Sequence, residues 1–244
     1  MPDLPRRRGA NPSWMQPIAA RLTPAIKALV VVNTLVFFLY VLVHPAQEPM
    51  LELLTVGPEM LRRPWQPLTA MFIHVEWLGL LLNIVGLWFV GAFIERTQGT
   101  RRFLTLFFVS GVLANVATGL VAHVYGARGL YAGTSAAVLA LFVAFARIYG
   151  PVPTQVFGTL YLKATHLAMI FVGWALVADL LRRDLASVAG TIVVSISGYL
   201  LAAPGGLKQL VDGWRARRAR QRYKVLDGGA PRRVKARGGH KYWN

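Results

Sequence analysis

The chain contains no cysteine among its 244 residues, which excludes disulfides and any metal or nucleophilic chemistry that depends on a thiol. Charge is scarce as well. Asp, Glu, Lys and Arg together make up 15% of the residues, where soluble domains carry about 25%. With 55% hydrophobic residues and a mean hydropathy of +0.46, the composition is that of a membrane protein. A removable signal peptide is not expected either. Residues 1–21 carry Arg6, Arg7, Arg8 and four prolines, and the first apolar run, Ile26–Val43, exceeds a signal core of about 7–15 residues. That run reads as a retained span.

About 20 apolar residues cross a bilayer core of about 30 Å as a helix, the form in which a chain satisfies its own backbone in hydrocarbon. This length test predicts six spans: Ile26–Val43, Trp77–Ile94, Phe103–Val124, Ser135–Ile148, Leu160–Leu181 and Leu185–Ala203. Residues 44–76 are too polar to cross, although their Met, Leu and Trp side chains suit the interface. The fourth run is short for a full crossing. A non-helical lead-in at membrane depth is permissible where it is buried in protein or lines a wet cavity, so Ser135, at the head of that run, is expected to face such a cavity. A serine in a first helical turn can also serve as a simple cap.

Lys and Arg set the expected orientation. Most of them fall in the N-terminal segment, around Arg96 to Arg102, at Arg147 and in the tail Lys208–Lys241, whereas Arg62, Arg63, Arg128, Arg182 and Arg183 lie on the other side. The positive-inside rule then places both ends in the cytoplasm, most naturally in a plasma (inner) membrane. The domain reading is a basic N-terminal segment (1–25), a six-helix membrane domain (26–203) and a disordered basic tail (204–244). Each tail Lys or Arg near anionic headgroups contributes on the order of 1 kcal/mol. No DNA- or RNA-binding motif accompanies the tail, so nucleic acid is not expected as a partner. The lipid bilayer is.

Five pieces of sequence stand at fixed spacing. Trp65 is followed by His74 and, nine residues further, by Asn83. Gly91-x-x-x-Glu95 closes the second run, and Gly133-Thr134-Ser135-Ala136 opens the fourth. This pattern resembles the rhomboid family of intramembrane serine proteases over about residues 26–203. The resemblance implies an all-α polytopic membrane protein with six transmembrane helices in the rhomboid arrangement and a short central fourth helix. It makes Ser135 the nucleophile position and Asn83 an oxyanion donor, gives Trp65, His74, Glu95 and Gly133 structural roles, and implies no cofactor and no metal. Transmembrane segments of client membrane proteins would be the partners.

The match is partial. Gln66 stands where the family has Arg, Gly79 where it has a second His that would serve the oxyanion hole, and Ala136 replaces a Gly. The sixth-run His is missing: one alignment puts its position at Gly190, another at Thr191. A serine hydroxyl is a poor nucleophile until a base within about 2.6–3.2 Å takes its proton, and losing that base costs about 10⁶ in a well-studied serine protease. Losing one oxyanion donor costs about 10²–10³. His166 in the fifth run and His123 at the end of the third read as structural or interfacial, and Asp179 as a helix-end ion pair with Arg182 or Arg183. The expectation is a pseudoprotease that binds clients without cutting them. The alternative is an active intramembrane serine endopeptidase with an unorthodox base.

Overall fold

A computed structural model describes residues 22–43, 47–127, 129–150, 153–156 and 160–203. Apart from residues 22–25, the basic segments 1–25 and 204–244 lie outside the described residues, and with them the expectations about the tail.

The first helix, α1 (Pro24–Leu42), opens on a proline, which tolerates the first helical position because its missing N–H would be unpaired there anyway. Its start is held from elsewhere in the chain. Glu95 Oε1 accepts from the Ala25 N–H at 3.2 Å and Oε2 from the Ile26 N–H at 3.3 Å, while the Thr23 hydroxyl also donates to it. A carboxylate here satisfies orphan N–H groups and complements the positive helix end. Glu95 also accepts from the Thr100 hydroxyl at 2.7 Å, so one side chain joins the beginning of α1 to the turn between two later helices. Three of its four partners come from the first helix and the Thr23 before it.

Residues 47–76 form a folded connection. It contains α2 (Gln47–Leu54), a 3₁₀ turn at Met60–Arg62, the single-turn α3 (Gln66–Thr69) and a second 3₁₀ turn at Ala70–Phe72. Side chains of α3 and its lead-in stitch it to α2. Trp65 Nε1 donates to Leu53 O (2.9 Å), Gln66 Nε2 to Glu52 O (2.8 Å) and the Thr69 hydroxyl to Leu54 O (2.7 Å). Gln66 is buried, and its amide supplies the donor at the position where the family carries an arginine.

Next, α4 runs from Trp77 to Gln98 and includes a π turn at Leu87–Gly91. Then α5 (Thr100–Tyr125) ends at Gly126 in the left-handed region, φ 62°, where glycine carries no Cβ penalty. The central α6 (Ser135–Tyr149) has 15 residues, about 22 Å at ~1.5 Å per residue and short of the ~30 Å core. Its continuous buried stretch Ala137–Phe142 shows that it is surrounded rather than lipid-facing. An antiparallel hairpin follows, β1 (Pro153–Val156) with β2 (Leu160–Lys163). The expected fifth span therefore starts later than Leu160, as α7 (Ala164–Leu181). The last helix, α8 (Leu185–Leu201), is capped by Asp184, which accepts from Ser187 N at 3.2 Å.

Four of these helices, α1, α4, α5 and α7, are long and apolar enough to cross a membrane, and α6 and α8 are shorter apolar helices. The chain is an all-α, multi-pass membrane protein. Its layers meet on α6, which packs against α4, α5, α7 and α8. Close approach of α8 to α6 depends on Gly198, where an added Cβ would lie 2.8 Å from Ala140 O. Small residues serve this purpose in membranes, where packing replaces the hydrophobic drive between helices.

Candidate active site

Ser135 is the first residue of α6 and is exposed, yet it faces into the bundle, on a cavity of about 840 Å³. The preceding Gly133 has φ 105°, a conformation that L side chains rarely adopt, and its N–H donates to Ala70 O at 2.8 Å. A Cβ there would approach Ser135 Oγ at 3.6 Å and His74 Nε2 at 3.8 Å. The glycine thus turns the chain into α6 beside two polar side chains.

On α4, the buried Asn83 points its amide nitrogen at both of them. Nδ2 donates to Ser135 Oγ at 3.1 Å and lies 3.0 Å from His74 Nε2. An amide nitrogen only donates, so Nε2 accepts and the ring proton sits on Nδ1, 3.4 Å from Phe72 O. The Thr134 hydroxyl is 3.3 Å from the same Nε2. Burial lowers the His74 pKa below its ordinary value, only partly offset by the Phe72 carbonyl. Burial thus favours the neutral imidazole, and its Nε2 is occupied by the Asn83 amide.

Ser135, Gly133, Asn83 and His74, distant in sequence, are brought together. Gly79, one helical turn before Asn83, has nothing within 4 Å of a built Cβ, so the position of the expected second His is open space. Gly190 and Thr191 line the same cavity as Ser135. Gly190 packs on α5: a Cβ there would fall well inside 3.0 Å of Thr118 Oγ1 and 3.4 Å from Ala114 O. The Thr191 hydroxyl donates to Asp179 Oδ2 at 2.8 Å. Neither position offers a proton acceptor of imidazole strength. Trp65 stays in the folded connection, and Glu95 is committed to α1. His123 Nδ1 is 2.9 Å from Pro58 O, and neither His123 nor His166 lines the cavity.

One expectation is corrected. Asp179 makes no contact ion pair with Arg182 or Arg183, although Arg182 is close enough to act on its carboxylate through space. The helical turn faces Asp179 toward α8, where a neutral hydroxyl is the available donor. Also unforeseen is the polar mouth of the cavity. Tyr131 OH donates to Asp184 Oδ1 at 3.0 Å, and Ser187 Oγ donates to Oδ2 at 2.7 Å. Burial pushes the Asp184 carboxyl up, but the Ser187 and Tyr131 hydrogen bonds outweigh it and the pKa is lowered. Burial and the neighbouring Asp184 carboxylate push the Tyr131 phenol up to about 12. An acid inside an apolar run, as Asp179 is, was the sequence signal for this region. Its partner was not readable.

The structure is thus a bundle of apolar helices around a short central helix, with an exposed serine at the head of that helix and an asparagine donating to it. Residues 61–207 match the family model of the Rhomboid domain, and the chain belongs to the rhomboid family. It is 33% identical over 54 residues to Rhomboid protease GluP of Bacillus subtilis (strain 168), a match covering 22% of this chain and 11% of that protein. Over 57 residues it is 32% identical to Rhomboid-like protease 3 of Toxoplasma gondii, covering 23% of this chain and 22% of that one. The matched stretches span under a quarter of either relative.

Proposed function

We propose that this rhomboid-family protein binds transmembrane segments of other membrane proteins in its cavity without cleaving them. The observation that carries the reading is the pairing around Ser135: its oxygen accepts from Asn83, and the two positions aligned with the family's base are Gly190, packed on Thr118, and Thr191, bonded to Asp179. A hydroxyl that accepts a hydrogen bond and has no base to take its proton is a polar contact and not a nucleophile. The cavity is built for an apolar guest. Leu82 and Phe89 of α4 and Phe171 and Trp174 of α7 line it on two sides, and polar groups at Asn83, Ser135, Asp179 and Thr191 punctuate the apolar wall, the combination of apolar lining and placed polar groups usual in a ligand site.

In this reading both termini lie in the cytoplasm, which puts the head of α6, the α7–α8 turn and the folded connection on the outer side of a plasma membrane. The basic tail adds attraction to anionic headgroups. The test is labelling of purified protein with a serine-reactive fluorophosphonate beside Ser135→Ala. No Ser135-dependent labelling is expected, and labelling at rates typical of an active serine hydrolase sinks the reading.

A second reading, an active endopeptidase, is favoured by one observation: a single Asn83 amide separates Ser135 Oγ from His74 Nε2. Against it, a general base works from about 2.6–3.2 Å, directly or through one water, and an amide cannot relay the proton as a water does. If Ser135 labels and His74→Ala abolishes the labelling, this second reading replaces the first.

A further inference from the structure

Three side chains in the cavity wall hold oxygens that nothing in the described chain satisfies. Asn83 of α4 and Asn115 and Thr118 of α5 line the cavity and are 6%, 9% and 6% exposed. Their amide nitrogens are in use: Asn83 Nδ2 addresses Ser135 and His74, and Asn115 Nδ2 donates to Pro67 O at 2.8 Å. Asn83 Oδ1, Asn115 Oδ1 and the Thr118 hydroxyl have no hydrogen-bond partner among the described residues. The hydroxyls of Tyr131, Ser187 and Thr191 donate within the wall, to Asp184 and Asp179. The wall therefore has acceptors to spare while these donors are committed, and a buried acceptor without a donor is costly.

At one point the surplus is charged. Asp179 lies in the apolar run of α7, lines the same cavity and accepts from Thr191 through Oδ2, while Oδ1 has no hydrogen-bond partner among the described residues. An acid within a membrane helix faces a cation or a wet cavity as a rule, and a neutral hydroxyl does not compensate its charge. Arg182 acts on it through space without contact, but Asp184 at the same mouth adds a second carboxylate. Thr118 meets Gly190, and Asp179 bonds Thr191, so the spare hydroxyl and the spare carboxylate oxygen flank neighbouring residues of α8.

We infer that the cavity selects clients whose transmembrane segment carries one lysine or arginine near the end level with the α7–α8 turn, seated against Asp179 with the Thr118 hydroxyl as a second acceptor. This rests on the client-binding reading above and adds the chemistry that picks the client. Ammonium and guanidinium groups only donate, which matches a wall of unused acceptors. Their long apolar stems lie along hydrophobic surface while the head seeks polar company, and Phe171 and Trp174, on the same helix as Asp179, supply that surface. A wholly apolar segment would cover Asp179 with hydrocarbon, and an acidic one would meet like charge at Asp179 and Asp184.

The test is binding of dye-labelled Leu/Ala peptides of about 22 residues, with uncharged polar flanks, to the full chain in nanodiscs of phosphatidylcholine. One peptide carries a single Lys four residues from one end, and its partners carry Met or Glu there, or the Lys at mid-length. A hydrogen bond to a charged group changes an equilibrium by roughly ten- to hundredfold, so the Lys peptide is expected to bind tighter than the Met peptide by that factor, and the Glu and mid-length Lys peptides are expected to show no such gain. Asp179→Asn, which keeps the shape and still accepts from Thr191, is expected to bring the Lys-to-Met affinity ratio close to one. Thr118→Val is expected to lower the same ratio by about 3-fold, the average for a side-chain hydrogen bond between membrane helices. Helical content by circular dichroism verifies that each variant is folded. Equal binding of the Lys and Met peptides to the parent protein, or a Lys preference that survives Asp179→Asn, overturns the inference and leaves client binding standing. Absence of binding by every peptide overturns both.

Discussion

Gly190 is the most exacting test of how the cavity wall is packed. A Cβ at this position would lie well inside 3.0 Å of Thr118 Oγ1, with Ala114 O at 3.4 Å on the backbone of the same helix. The carbonyl cannot move without bending α5, so relief must come from Thr118. A buried helical threonine has two accessible χ1 wells, and driving it to the other, with some shift of α8, places Gly190→Ala in the overpacking range of about 1–3 kcal/mol. Gly190→His, the variant that would restore one candidate base, is expected to be worse. Thr118→Ala removes the colliding hydroxyl, so Gly190→Ala/Thr118→Ala should recover most of the loss, with an interaction energy of about 0.5–3 kcal/mol, the range for residues in contact. Reversible unfolding in bicelles measures all four proteins of the cycle. If Gly190→Ala lies within about 0.5 kcal/mol of the parent, as a change away from such packing would, or if Thr118→Ala gives no rescue, the close packing of α8 on α5 is wrong.

Three further outcomes follow from the same geometry. Restoring histidine at Gly79, where space is open, together with either Thr191→His or Gly190→His/Thr118→Ala, is expected to produce cleavage of a reporter transmembrane substrate that the natural chain leaves intact; cleavage by the natural chain refutes the pseudoprotease reading. Glu95→Ala leaves the Ala25 and Ile26 N–H groups unpaired and is expected to destabilise the protein by about 1–3 kcal/mol, more than Glu95→Gln, as judged by unfolding midpoints. Burial lowers the His74 pKa, so the unfolded chain binds a proton that the folded one resists; stability should therefore fall as pH drops below about 6.5. That slope should vanish in His74→Gln, and a slope that persists in the variant would place its source elsewhere.

How much of this was readable from sequence differed by residue. The helices were legible because length and apolar content alone decide what can cross a bilayer, and the shortness of α6 already pointed to a cavity at Ser135. The grouping of Ser135, Asn83 and His74 came through family spacing and not through periodicity, since the residues sit on three separate segments. Partner choice was the opaque part. Glu95 binds donors about 70 residues away in sequence, and Asp179 bonds a threonine on α8 rather than Arg182 or Arg183, because the helix ends at Leu181 and Arg183 turns to φ 55°, so the arginines do not continue the helix face on which i+3 and i+4 residues meet. Hairpin β1–β2 was missed: Leu160, Tyr161 and Leu162 are apolar enough to read as the start of a span, and nothing local reveals their pairing with residues 153–156.

The π turn at Leu87–Gly91 carries a consequence for how α4 can vary. Each residue of an α-helix turns the chain by about 100°, and a π turn absorbs one residue more than an α turn would. Asn83 on one side of it addresses Ser135, while Glu95 on the other addresses α1. The turn therefore acts as a phase shifter between a functional face and a structural one. Shortening α4 by one residue inside Leu87–Gly91 would let the helix close into regular α geometry with both faces still aimed at their partners. The same deletion between Trp77 and Asn83 would rotate the start of the helix away from its contacts.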